Sequence, residues 1–95
     1  MAWRMPLLLR QVAGSSMEPA YKPGQLVIAL CWWRTLRPGD VVIVRHAGRE
    51  KLKRITCMQA DSVWLEGDNS QASTDSRQFG ALPLSSVVAK VMAVR

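Results

Sequence analysis

An all-β fold, a small partly open coiled β-barrel or sheet, is predicted by three observations. The apolar residues fall in short β-branched runs, Pro-Gly and other turn signals separate those runs, and no stretch has an amphipathic pattern of helical length. Two segments use the same device: Lys22-Pro23-Gly24-Gln25-Leu26-Val27-Ile28 and Arg37-Pro38-Gly39-Asp40-Val41-Val42-Ile43. Pro suits the first corner of a type II turn and Gly accepts the positive φ of the second, so each turn launches a strand. The spacing predicts strands over about Gln25–Cys31, Asp40–His46, Glu50–Met58, Ser62–Glu66 and Val87–Val94, with Ala47-Gly48-Arg49 as a hairpin turn.

The flanks are less regular. Residues 1–12 form an apolar N-terminal extension, in which Arg4 and Arg10 bracket Met5-Pro6-Leu7-Leu8-Leu9. That run is far below the roughly 20 apolar residues that span a bilayer and short for a signal-peptide core of about 7–15. It is expected to pack on the domain. Gly67 to Gly80, rich in Asp, Asn, Ser and Thr, is expected to be one long polar turn. Residues 1–95 make a single small domain with little chain to spare.

Composition narrows the partners. Hydrophobic residues are 48% and charged residues 21%, which excludes intrinsic disorder. The net charge of +6 favours anionic partners, but the arginines are scattered and suit a solvated basic surface better. A basic nucleic-acid-binding β module is the non-enzyme alternative. It needs aromatics interleaved with cations, and Trp32-Trp33-Arg34 is the one candidate, so no nucleic-acid partner is expected. Strand alternation exposes one of those tryptophans, which allows a peripheral membrane contact. Cys31 and Cys57 lack CxxC spacing and His46 is the single histidine, so neither metal nor cofactor is expected. Both cysteines lie in apolar runs and are expected to be buried free thiols.

Three separated blocks carry chemistry: Gly14-Ser15-Ser16-Met17-Glu18-Pro19, then Lys53-Arg54, then Gly67-Asp68-Asn69 with Ser73-Thr74-Asp75-Ser76-Arg77. A loop serine such as Ser16 is ordinarily a turn residue, and it becomes a nucleophile only beside a base that takes its proton. Lys53 can be that base if it is neutral, and that requires desolvation. Alternation puts Lys53 on one face with Ile55 and Cys57, while Leu52, Arg54 and Thr56 take the other. An isolated strand lysine normally snorkels to solvent, and Lys51, on the same face but nearer the hairpin, is expected to do so. In the third block Asp68, Asn69, Asp75 and Arg77 can knit a hydrogen-bonded, ion-paired loop. Ser73 is the member able to exchange a hydrogen bond with a lysine amine.

Together these blocks resemble the signal peptidase I family of serine–lysine endopeptidases, over residues 13 to 90. The resemblance implies a leader- or propeptide-removing enzyme with Ser16 as nucleophile and Lys53 as general base. It further implies that Ser73 orients the lysine, that Asp75 and Arg77 pair to hold the loop, and that Asp68 and Asn69 belong to that structural loop. Gly14 stands where some members place a hydroxyl that assists the oxyanion hole, which leaves that task to the Ser16 backbone N–H. Cys57 stands where the family usually has Gly. Only residues 55–66 separate the second and third blocks, too few for the extra β-domain of larger members. This compactness is similar to that of the small proteases that mature nickel-type superoxide dismutase, so a dismutase precursor is the expected substrate and the cytoplasm the expected location. General leader peptidase work at a membrane is the alternative. A self-cleaving relative of the SOS-type repressor proteases ranks lower, because it requires a scissile segment and a partner domain.

Overall fold

The structure, a computed structural model, describes residues 6–33 and 35–95. Its strands are β1 (Leu7–Gln11), β2 (Leu26–Leu30), β3 (Val41–His46), β4 (Arg49–Gln59), β5 (Ser62–Glu66), β6 (Leu82–Pro83) and β7 (Val87–Val94). One short helix, α1 (Ser76–Phe79), and two 3-10 turns complete the elements. All the strands join one antiparallel sheet in the order β1-β2-β7-β3-β4-β5-β6. The fold is all-β as the sequence predicts. The sheet is not closed into a barrel, since β1 and β6 remain its two edges.

The turn chemistry explains the strand starts. Gly24 and Gly39 sit at φ 90° and 98°, each at the second corner of its Pro-Gly turn. The closing bonds run from Gln25 N–H to the Lys22 carbonyl at 3.2 Å and from Asp40 N–H to the Arg37 carbonyl at 3.0 Å. The hairpin turn is shorter than expected. Ala47 and Gly48 alone, at φ 52° and 75°, connect His46 to its cross-strand partner Arg49, the positive-φ pair of a type I′ turn.

The N-terminal extension is a strand as well as packing. Leu7 to Gln11 pair in register with Leu30 to Leu26, though the segment has no β-branched residue to announce it. Arg4, Met5 and Arg34 lie outside the described residues.

The core occupies both faces of the sheet. Val42, Val44, Ile55, Val63, Leu65, Leu82 and Val87 pack on one side, and Val12, Val27, Ala29, Ile43 and Ala89 on the other. β3 supplies both, which is why Val41 to Val44 are all buried. Register irregularities in three strand pairs bend the sheet. The one in β4 corrects an expectation. Ile55 pairs with Leu65 but Cys57 with Trp64, so Thr56 is an extra residue and the alternation changes phase. Cys57 is therefore exposed rather than buried, Cys31 is half-buried, and both thiols are free.

Candidate active site

The chain between β1 and β2 carries Ser16. Met17, 1% exposed, anchors it in the interior, and bonds from Glu18 N–H to the Ser15 carbonyl and from Tyr21 N–H to the Met17 carbonyl fix its turns. Gly14, at φ 76°, turns the chain into the site. The polar loop after β5 clamps this segment from the other side. Asn69 donates its backbone N–H to the Ser16 carbonyl at 2.8 Å and its side-chain amide to the Ser15 carbonyl at 3.1 Å. Gly67 makes the approach possible: a Cβ there would lie 2.7 Å from the Ser16 carbonyl oxygen and would collide with the Ser73 side chain. Among the described residues the Ser16 backbone N–H has no protein acceptor.

Lys53 comes from β4. It lies opposite Val42 and two residues before the fully buried Ile55, and is itself only 4% exposed. Its Nζ donates to Ser73 Oγ at 2.8 Å, and Ser73 Oγ donates to Asp75 Oδ2 at 2.6 Å. Asp75 is completely buried. It also accepts from Gly67 N–H at 2.8 Å, from Arg77 N–H at 3.1 Å, and from the Arg77 guanidinium at 3.0 and 2.6 Å. Burial would raise the Asp75 carboxyl, but these donors, Arg77 first, hold it well below the usual carboxylate range. The same carboxylate caps α1, with Gln78 returning the bond in a capping box.

The electrostatic outcome for Lys53 follows. Burial lowers its pKa from the ordinary lysine value; Asp75 pulls the other way, and the Lys51 and Arg77 charges add to the lowering. Arg77 already neutralises Asp75, so Lys53 has a hydroxyl for its partner and no free counterion. The Ser73 proton is committed to Asp75, so Ser73 can only accept from the amine.

Ser16 and Lys53 line one cleft of about 790 Å³, together with Gly14, Thr74 and the end of β1. The structure thus brings Gly14, Ser16 and Lys53 to one cleft, joins Ser73, Asp75 and Arg77 to Lys53 as a hydrogen-bonded chain, and uses Asn69 as a clamp. Asp68 does something the sequence pattern does not predict. It forms a two-pronged pair with Arg54, both contacts 2.8 Å, while Arg54 also donates to the Gly39 carbonyl at 2.8 Å. Ser76 is a second such residue, buried, its Oγ accepting from Leu65 N–H at 2.8 Å. Among the described residues no three His, Cys, Asp or Glu side chains could hold a metal ion.

A β-sheet protein with a buried lysine amine in the cleft of a clamped loop serine has the layout of a peptidase. The chain belongs to the Peptidase S24-like family, whose profile matches residues 5–88. The chain is 32% identical to mitochondrial inner membrane protease subunit 1 of Mus musculus, over 75% of this chain and 58% of the relative. It is 28% identical to mitochondrial inner membrane protease subunit 2 of Schizosaccharomyces pombe, over 87% of this chain and 61% of the relative. It therefore spans about three-fifths of the length of these relatives.

Proposed function

We propose that the protein is a serine endopeptidase that removes an N-terminal leader or pro-segment from a precursor protein, with Ser16 as nucleophile and Lys53 as general base. The observation that carries this reading is the buried Lys53 amine, held by Ser73 in the cleft that Ser16 lines. Neutral Lys53 takes the Ser16 hydroxyl proton as Oγ attacks the scissile carbonyl. The Ser16 backbone N–H donates to the developing oxyanion, and Gly14 adds no side-chain donor. The lysine ammonium then protonates the leaving amine as the C–N bond breaks. A water molecule, deprotonated by Lys53, then attacks the acyl ester, and the Lys53 ammonium returns that proton to Ser16 Oγ as the ester C–O bond breaks. Residues 1–95 act as one catalytic domain in this scheme.

The names of the relatives favour general leader peptidase work at a membrane over a dedicated dismutase-maturing role, and a membrane-associated location over the cytoplasm. A surface feature supports that shift. Leu7, Leu9, Leu26, Ile28 and Leu30 share one side of the β1–β2 pair by register, and Trp32 beyond them is 62% exposed. An apolar strip ending in an exposed tryptophan on a chain of net charge +6 suits an anionic bilayer surface. Among the described residues no helix is long and apolar enough to cross a membrane.

The test is incubation of the purified protein with secretory-type leader precursors and with a nickel superoxide dismutase precursor, with and without anionic vesicles, reading new N-termini by mass spectrometry. Cleavage of leader precursors, stimulated by vesicles and absent in Ser16→Ala, is expected. Cleavage of the dismutase precursor alone would restore the dedicated-processing reading, and cleavage of neither would remove the endopeptidase assignment.

A further inference from the structure

Resting on the assignment of Lys53 as base, we propose that Lys51 is a positioning residue: a fixed ammonium, pinned at the cleft wall by His46 and Phe79, that acts on the reaction through Lys53. Lys51 Nζ lies 3.2 Å from His46 Nδ1 and 5.0 Å from the centre of the Phe79 ring. The His46 and Phe79 rings are themselves stacked, centroids 4.2 Å apart and tilted by 31°. An ammonium has only donors, so in this contact Nδ1 is the accepting atom. Phe79 ends α1, whose cap is Asp75, so the carboxylate that holds Ser73 also anchors the ring platform under Lys51.

No carboxylate neutralises Lys51 among the described residues. The groups facing it are an imidazole and a phenyl ring, and across the strand pair lies Val44. Glu50, which lines the same cleft, is taken by Arg10 at 2.7 Å and Arg45 at 3.3 Å, and Arg49 adds a further positive charge to the wall. Lys53 is faced by Asp75 and Arg77 from the polar loop and α1, and by Val42 from β3. Lys51 and Lys53 are two residues apart on one strand face, their Cα atoms about 7 Å apart, and both line the cleft. A fixed positive charge at that range opposes a second ammonium while leaving the neutral amine untouched. Burial leads the downward displacement of the Lys53 pKa, and Lys51 acts in the same direction. The fixed site gives Lys51 a role that a solvated lysine, free to swing away, would not have.

The experiment follows the Lys53 side-chain NMR signals against pH in Ser16→Ala protein, which cannot turn over, carrying Lys51, Lys51→Arg, Lys51→Met or Lys51→Glu. Lys51→Met is expected to raise the Lys53 midpoint by about half to one pH unit, the size expected of one charge at this range. Lys51→Glu should raise it further, and Lys51→Arg should leave it within about 0.2 units by keeping the charge. With Ser16 restored, the acid limb of kcat/KM should move by the same amounts. An unmoved midpoint in Lys51→Met, or an equal movement in Lys51→Arg, would overturn the proposal. The underlying assignment fails separately, if Lys53→Ala cleaves as well as the parent protein, because the titration reads the coupling of the two lysines without any turnover.

Discussion

Lys53 and Arg54 are adjacent cations on β4 with opposite fates. Lys53 turns into the cleft, is nearly fully buried and meets a hydroxyl. Arg54 turns the other way, stays partly exposed and grips Asp68 in a two-pronged ion pair. A guanidinium is always charged and fits a carboxylate fork, so Arg54 is suited to joinery. An amine can give up its proton when desolvated without a free counterion, so Lys53 is suited to chemistry. The polar loop serves both sides of the strand, with Asp68 reaching Arg54 and Ser73 reaching Lys53. The carboxylate nearest the lysine, Asp75, is occupied by Arg77.

The sharpest way to break this contrast is to truncate each side in turn. Lys53→Ala and Ser16→Ala should each reduce kcat/KM by on the order of 10³-fold or more, and the double variant should be little worse than either, because the two act as a unit. Arg54→Ala should lower stability by about 1 kcal/mol and leave the pH dependence of cleavage in place, since its pair is partly solvated. Peptide cleavage assays and denaturant melts read both. An Arg54→Ala loss as deep as that of Lys53→Ala would erase the distinction.

Within the loop, Asp75→Ala should have the next largest effect, a loss of about 2–4 kcal/mol. It strips Arg77, the Gly67 N–H and the α1 cap of one shared acceptor. Because the folded carboxyl is held low, its contribution is present above the ordinary carboxylate pKa and is lost as pH falls through the folded value. Ser73→Ala should cost roughly 10–100-fold in turnover with little change in melting temperature, as the amine loses its orienting acceptor while Asp75 keeps its other donors. Equal destabilisation by the two substitutions would contradict this division.

The smallest effect runs opposite in sign. Lys53→Met should stabilise the protein by about 1 kcal/mol at neutral pH, because it removes a cation that burial penalises. With the folded pKa below the unfolded one, the unfolded chain holds more protons between the two values. Parent stability should therefore rise with pH across that window, and the advantage of Lys53→Met should vanish above the ordinary lysine pKa. Chemical denaturation at several pH values measures this.

Much of this was legible in the sequence. Pro23-Gly24 and Pro38-Gly39 announced two strand starts, and alternation placed Lys53 with Ile55 on the buried face. The β4 irregularity at Thr56 was not legible, because nothing in Ile55-Thr56-Cys57 signals an extra residue; the pairing with β5 creates it, and Cys57 turned outward as a result. β1 was missed for a related reason, since Leu7 to Gln11 become a strand only by pairing with β2. In the site, the Asp75–Arg77 pair is one that the family resemblance implies, and the structure shows it. The Arg54–Asp68 pair spans a strand turn, and the need for Gly67 arises only where Ser16 and Ser73 close on it.

The pH dependence of kcat/KM on a leader peptide, taken across neutral to alkaline pH, tests the central claim most directly. A neutral Lys53 base predicts a rise through one ionisation below the ordinary lysine value, lost in acid as the amine protonates, and absent from any residual activity of Lys53→Ala. A profile that is flat across this range, or the same ionisation surviving in Lys53→Ala, would contradict it.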